Sequence, residues 1–139
     1  MREAGLVLAV MLLWAGVSPP LDATDAPLSE SGNAFLRDCS SVDRPSSEHK
    51  TDLELMKSAV CASYVDGLDG GIRVEVDLIN RDGRAKATQP YCLDPSVSAG
   101  QIVRILTKYI RDNPARAHWP TPILYLSAME QAFPCPTQN

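Results

Sequence analysis

A chain of 139 residues with 22% charged residues and a formal net charge of −4 has the composition of one globular domain. The charged residues are scattered singly, so the sequence offers no basic patch and predicts no nucleic-acid partner. No apolar run reaches the roughly 18 residues expected of a membrane-spanning helix.

Residues 1–23 have the features of a secretory signal peptide. A single early arginine is followed by an apolar stretch, two prolines and small residues at positions suited to cleavage. We expect cleavage after Ala23, with Ala26 as the alternative, which leaves residues 24–139 as the exported domain. The apolar stretch is shorter than the roughly 20 residues that a spanning helix needs, so we expect no membrane anchor.

Two helices are predicted after the signal peptide. The segment "SGNAFLRDC" predicts a helix with Ser31 or Asn33 as its N-cap. After a serine-rich loop, Thr51 and Glu54 have the spacing of a capping box and start a second helix. One face of this second helix carries apolar residues at helical spacing, namely Leu53, Met56, Val60, Tyr64 and Leu68.

Residues 72–79 fit two structures. Apolar and charged residues alternate there with the period of a strand, and Gly70-Gly71 is a suitable end for the preceding helix. Ile72, Val76 and Ile79 also continue the helical face of the second helix. The residues alone therefore leave a short strand and a longer helix open, with a turn from Asn80 to Gly83 in either case.

Two further helices are predicted near the C-terminus. Ser98 and Gln101 have the spacing of a capping box, and the helix that they start ends at Asn113-Pro114. A one-turn connection leads to a fourth helix from about Pro120 to Phe133, in which a proline is tolerated in the first turn. The apolar face of the third helix consists of Ile102, Val103, Leu106, Tyr109 and Ile110.

Four cysteines lie in the exported part of the chain, and their even number predicts two disulfides. Their spacing contains no C-x-x-C pair of the kind that zinc sites and redox dithiols use, so we expect no metal and no cofactor. Helices joined in sequence tend to pack as antiparallel neighbours. Two such hairpins bring Cys39 to Cys61 and Cys92 to Cys135, which predicts an all-α, small four-helix bundle stapled by two disulfides.

Several segments resemble the Rap/Tai family of small exported proteins, which includes immunity proteins against type VI secretion amidases. The resemblance covers nearly all of the exported chain and rests on Cys61-x-x-Tyr64-x-x-Gly67, on Cys92 followed by a proline and a capping box, on "NPARAH" from Asn113 to His118, and on Ala132-Phe133-Pro134-Cys135. It implies a mostly helical fold with paired cysteines, and a periplasmic protein that binds and blocks a peptidoglycan-cleaving amidase. It also favours helix over strand at residues 72–79, although Gly70-Gly71 and the charged residues that follow depart from the family pattern.

The connection between the third and fourth helices is the predicted partner-binding surface. Hydrogen-bond donors and an aromatic residue are the types enriched at binding hot spots, and a helix holds this segment at each end. The alternative interpretation is structural, in which the tryptophan covers the end of the hairpin and the histidine caps a neighbouring helix. The residues concerned are Arg111, Asn113, Arg116, His118 and Trp119.

No catalytic site is predicted. Asp66 and Asp69 lie beside glycines in a polar segment, where aspartates are usually exposed residues of a turn or a helix end. His49 lies in a serine-rich loop, where a solvated histidine is expected. The predicted function is therefore a periplasmic inhibitor that occludes an amidase, with a helical stress or chaperone-like protein as the alternative. A homodimer is left open.

Overall fold

The computed structural model describes residues 27–43 and 51–136. Four α-helices lie in these ranges: α1 (Gly32–Cys39), α2 (Asp52–Asp82), α3 (Ala99–Asp112) and α4 (Thr121–Ala132). Short 3-10 helices follow α1 at Ser40–Asp43 and α3 at Pro114–Arg116. The described residues contain no strand, so the predicted all-α fold is confirmed. The predicted signal peptide, its cleavage site and His49 lie outside the described residues.

Side-chain caps begin the first three helices where the sequence predicted them. The Ser31 hydroxyl accepts a hydrogen bond from the Ala34 N–H at the start of α1. At the start of α2, Thr51 and Glu54 form the full capping box, in which each side chain accepts from the other residue's backbone N–H. The Ser98 hydroxyl accepts from the Gln101 N–H in α3. These bonds satisfy backbone donors that a helix start otherwise leaves unpaired.

The core lies around α3, which contacts each of the other three helices. Its buried face comprises most of the predicted apolar residues, with Thr107 added and Tyr109 only partly buried. Phe35 of α1 and Tyr125 of α4 are fully buried against it. The other buried members of the core are Cys39, Cys61, Val65, Tyr91, Ile102, Val103, Leu106, Ile110, Ala117, Leu124, Ala128 and Met129.

Residues 72–79 are helical, so the short strand considered there is wrong. Helix α2 runs through Gly70 and Gly71, and ends at Gly83, whose φ of +69° lies in the left-handed region that glycine adopts readily. Ile72 packs against the core in line with Leu68 of the preceding turns. A helix forms here because only helical periodicity keeps Leu68 and Ile72 in one row against the core. The turn predicted from Asn80 to Gly83 is also wrong, because the helix continues to Asp82 and the chain leaves it only at Gly83.

The predicted apolar face of α2 is buried in only one half. Tyr64 and Leu68 pack against the core, but Leu53, Met56 and Val60 are 55% to 65% exposed. Cys61 and Val65 are the buried residues of this 31-residue helix. The apolar face identified in the sequence is therefore buried only in part, because the N-terminal half of α2 extends past the core.

Both predicted disulfides are present. Cys39 of α1 is bonded to Cys61 of α2 with Cα atoms 5.8 Å apart, and Cys92 is bonded to Cys135 with Cα atoms 4.8 Å apart. A backbone hydrogen bond of 2.8 Å from the Cys92 N–H to the Phe133 carbonyl also joins the second pair of segments. The C-terminal end of α4 is thereby tied to the loop that precedes α3. None of the helices in the described ranges has the length and apolar character needed to cross a membrane.

Candidate partner-binding site

Local hydrogen bonds and a short 3-10 helix define the backbone of the connection between α3 and α4. The Asn113 side-chain amide donates to the Tyr109 carbonyl at 2.9 Å, and the Asn113 N–H also bonds to that last turn of α3. Pro114 then begins the short 3-10 helix, and the Trp119 N–H donates to the Arg116 carbonyl at 2.8 Å. These local bonds fix the backbone from the end of α3 to the tryptophan.

Helix α1 supports this connection through backbone hydrogen bonds. The Gly32 N–H donates to the Trp119 carbonyl at 3.0 Å, and the Asn33 N–H donates to the Ala117 carbonyl at 2.9 Å. Backbone groups at the start of α1 therefore pair with backbone groups of the connection. A Cβ atom at Gly32 would lie 3.0 Å from the Ala117 carbonyl oxygen, which is closer than such contacts ordinarily come. The absence of a side chain at this residue allows the two segments to approach.

Arg116 and Trp119 form a pair on the outer side of the connection. The Arg116 guanidinium carbon lies 5.2 Å from the centre of the Trp119 ring, the arrangement of a cation–π interaction. The same guanidinium donates to the Tyr109 hydroxyl at 3.3 Å. The Trp119 residue remains 38% exposed. The pair thus presents a positioned cation and an aromatic surface to the solvent.

The five predicted site residues have different surroundings in the structure. Arg111 is exposed in the last turn of α3, and His118 is exposed beside the tryptophan. Asn113 is half-buried and caps α3, so its side chain supports the connection instead of being offered to a partner. Contacts join Arg116 to Trp119, and the Arg116 N–H donates to the Asn113 carbonyl at 2.9 Å. Tyr109 links the same two residues through its hydroxyl and its carbonyl.

Tyr109 belongs to the site although the sequence placed it on the apolar face of its helix. Its ring packs against the core while its hydroxyl meets Arg116. The signal available in the sequence was a tyrosine one helical turn before the residue that ends α3, because only its polar tip needs to reach the surface. Beside Tyr109 and Asn113, a cleft of about 320 Å³ opens between α3 and α4, with Ile105 and Ala128 in its wall.

A separate polar cluster lies between α2, the loop before α3 and α4. The Tyr91 hydroxyl donates to an Asp69 carboxylate oxygen at 2.7 Å and lies 3.3 Å from the Tyr125 hydroxyl, while Arg73 donates to the second Asp69 oxygen at 2.7 Å. Burial raises the pKa of Tyr91, and its hydrogen bonds with Tyr125 and Asp69 act in the same direction. Burial is also the main cause of the raised pKa of Tyr125.

This cluster joins α2 to the loop before α3 and to α4, so we interpret it as structural. Asp69 was expected at a turn or helix end, but it lies in the middle of α2 with its side chain 15% exposed. Asp66, by contrast, is exposed. The two aspartates therefore have different environments. Among the residues that the structure describes, no group of three or more potential ligands is placed to hold a metal ion.

Comparison with known proteins agrees with the resemblance seen in the sequence. No curated protein and no solved structure matches the chain. The family model of the Rap1a immunity proteins matches residues 31–135, which include all four helices, both disulfides and the whole connection. Because the match covers most of the sequence, the chain belongs to the Rap1a family of immunity proteins.

Proposed function

We propose that this protein is a periplasmic immunity protein of a type VI secretion system, which binds a peptidoglycan amidase effector and occludes its cleft. The observation that carries the proposal is membership of a family of immunity proteins, because immunity is exerted by binding a partner effector. Such a protein is an inhibitor and needs no chemistry of its own. The choice of an amidase as the effector rests on the resemblance in the sequence.

The connection after α3 supports an occluding mechanism. Its backbone is fixed by hydrogen bonds to α1, so little conformational freedom remains to be lost when a partner binds. Arg116 and Trp119 are the residue types that most often dominate binding energy, and here they are stacked before any partner arrives. We propose that this pair fills a depression beside the effector's active site and excludes its substrate.

Two features support a periplasmic location. Both disulfides are closed and all four cysteines are paired, which is typical of proteins in an oxidising compartment. The N-terminal residues have the pattern of a signal peptide, with cleavage expected after Ala23. A peptidoglycan-cleaving effector acts in this same compartment, so an inhibitor must reach it there.

The proposal is tested in two steps: the neighbouring genes are examined for an amidase effector, and that effector is directed to the periplasm of a bacterial host. Lysis is expected with the effector alone and normal growth when this protein is exported with it. The protein should also co-purify with the effector from a periplasmic extract, as identified by mass spectrometry. Lysis in spite of abundant exported protein, or a retained partner that is not a peptidoglycan hydrolase, would contradict the amidase assignment.

A further inference from the structure

A cleft between α3 and α4 adjoins the candidate site. We name it the α3–α4 cleft, and its lining includes Ile105, Tyr109, Asn113, Ala128 and Ala132. Its volume of about 320 Å³ is near the lower limit of about 300 Å³ for ligand pockets in proteins. A space of this size suits one or two side chains of a partner better than a large cofactor.

The α3–α4 cleft has an apolar interior with charged residues around it. Ile105 of α3 is half-buried, and Ala128 of α4 is buried. Ala132 follows Ala128 by one helical turn, and these two short side chains leave space that a longer side chain on α4 would fill. The exposed residues Lys108 and Asp112 form an ion pair of 2.7 Å beside this space. Such a site favours an apolar side chain, which is removed from water inside the cleft while polar groups remain outside.

Tyr109 belongs to both the α3–α4 cleft and the candidate site. It lines the cleft, and its hydroxyl accepts a hydrogen bond of 3.3 Å from the Arg116 guanidinium. Asn113 lines the cleft as well, and its carbonyl accepts a hydrogen bond of 2.9 Å from the Arg116 N–H. The cleft and the pair of Arg116 and Trp119 are therefore parts of one continuous surface.

Arg116 gives this surface a positive charge that the described part of the chain does not neutralise. Its guanidinium stacks on Trp119 and donates to a tyrosine hydroxyl. None of the ion pairs between described residues includes Arg116. Arginine binds carboxylates strongly, often through two N–H groups at once. The partner that suits this position therefore presents an aspartate or a glutamate.

The distance between the two features determines the spacing of residues in the partner. One tyrosine side chain, that of Tyr109, reaches from the lining of the cleft to the Arg116 guanidinium. In an extended segment, successive side chains on one face are two residues, or about 7 Å, apart. An extended segment whose acidic and apolar residues are two positions apart thus places the carboxylate at Arg116 and the apolar side chain in the cleft.

We propose that the α3–α4 cleft receives an apolar side chain of the effector, and that Arg116 pairs with an aspartate or glutamate two residues away on the same extended segment. This inference rests on the proposed inhibitory function, in which the effector is the partner of the candidate site. It adds a second point of contact to that site and states which residues the effector must present.

The first experiment fills the cleft. Ala132→Leu should raise the dissociation constant of the effector complex at least about 30-fold, because the leucine occupies the space that the partner's side chain needs. Ala132 is exposed at the end of α4, so the helical circular dichroism and the melting temperature should change little. Ala85→Leu makes the same change at an exposed residue outside the cleft and should leave the dissociation constant unaltered.

The second experiment identifies the acidic residue that pairs with Arg116. Arg116→Glu should weaken the complex at least about tenfold, and lysine in place of the matching effector carboxylate should restore most of the affinity. Arg116→Lys keeps the charge and should retain more affinity than Arg116→Glu. Restoration at an effector residue that has no apolar residue two positions away would contradict the proposed spacing.

A peptide probe tests the inference without the effector. The peptide acetyl-Ser-Leu-Ser-Glu-Ser-Leu-Ser-amide carries an apolar residue two positions to either side of its acidic residue. In a nuclear magnetic resonance titration of the natural chain, the Ala132 backbone amide and the Trp119 indole N–H should shift with a dissociation constant of about 1 mM. Peptides with glutamine for glutamate, or alanine for both leucines, should bind at least about fivefold more weakly. Ala132→Leu should abolish the shifts at the cleft.

The outcomes separate this inference from the proposed function. If the effector binds Ala132→Leu as tightly as the natural chain, the cleft is not part of the interface, and the inference is wrong while the proposed function stands. If no amidase binds the natural chain but the peptide shifts both signals, the proposed function fails and the chemistry of the occupant stands. Absence of both shifts at about 10 mM peptide would overturn the inference whatever the effector does.

Discussion

Gly32 links the packing of the bundle to the shape of the candidate site, and its replacement gives a sharp test. A Cβ atom at this position would lie 2.5 Å from the Leu124 Cδ1 atom, 3.0 Å from the Ala117 carbonyl oxygen and 3.1 Å from the Ile110 Cγ2 atom. These neighbours are buried, so they have little room to move away. We therefore expect Gly32→Ala to push α1 away from the connection and from α4.

The expected cost follows from two opposing effects. Overpacking of a core by one carbon typically costs about 1–3 kcal/mol, because neighbouring side chains and backbone must shift. Alanine regains part of this cost through its higher helix propensity, but the gain is small at the first residue of a helix. We expect the free energy of unfolding to fall by about 1–2 kcal/mol, and the melting temperature to fall by about 4–8 °C.

Gly70→Ala is the matched control for this substitution. The same change is made inside α2 at an exposed residue, where a Cβ atom meets nothing within 4 Å. It should raise the free energy of unfolding by about 0.5–1 kcal/mol. Urea unfolding of the natural chain and both variants, at one low protein concentration, measures the difference. Equal effects of the same sign would refute the argument, because it attributes the cost at Gly32 to contact and not to the loss of a glycine.

Three other predictions concern the site, the C-terminal disulfide and the buried tyrosines. Arg116→Ala combined with Trp119→Ala should weaken effector inhibition by about 2 kcal/mol, or roughly 30-fold, in an amidase assay; unchanged inhibition would remove this pair from the interface, and loss of the helical spectrum would assign Trp119 to the core. Replacement of both Cys92 and Cys135 by serine should lower the free energy of unfolding by about 4 kcal/mol in the chain-entropy model, given their separation of 43 residues; a change below about 1 kcal/mol in urea unfolding would contradict the prediction. Burial raises the pKa of Tyr91, so the unfolded chain loses the phenolic proton at a lower pH than the folded chain. The free energy of unfolding should therefore fall above about pH 10, by about 1.4 kcal/mol per pH unit for each such tyrosine. Tyr91→Phe should remove its share of that slope, and an identical slope in the variant would show that this hydroxyl does not titrate as argued.

Much of the fold was predictable because its signals are local. The cap at Ser31 and the box formed by Thr51 and Glu54 depend on residues three positions apart, which a sequence displays directly. The disulfide pairing followed from one further assumption, that helices adjacent in sequence pack as antiparallel neighbours. Its success shows that short connections restrict a small helical chain strongly.

The structure differs from the sequence analysis where the periodicity of α2 shows an apolar face but does not show which element packs against that face. Leu53, Met56 and Val60 share an apolar face with Tyr64 and Leu68, but α1 has only eight residues and extends about 12 Å, while α2 extends about 46 Å. The shorter helix cannot cover the whole of the longer one. At residues 72–79, apolar and charged residues alternate with the period of a strand. A helix with apolar residues on two faces shows the same alternation, so the pattern did not exclude a strand.

The sequence displays the residue types of the candidate site, which remains a prediction, but it does not display the geometry of the segment. Arginine, asparagine and tryptophan between two helices indicated a binding segment, and the structure stacks Arg116 on Trp119 there. The contacts that hold the segment come from α1, which is about 85 residues away in sequence, and no local pattern records them. The role of Asn113 as a cap was also hidden, because an asparagine at a helix end fits a structural role and a binding role equally well.

Helix α1 links the candidate site to α2. At its N-terminus, the backbone N–H groups of Gly32 and Asn33 hold the connection that carries Trp119. At its C-terminus, Cys39 is bonded to Cys61 of α2 by a disulfide. An eight-residue helix is too short to be stable by itself, so its position depends on what is attached at its ends. The shape of the candidate site therefore depends on the Cys39–Cys61 disulfide, a kind of bond that forms and persists in oxidising compartments.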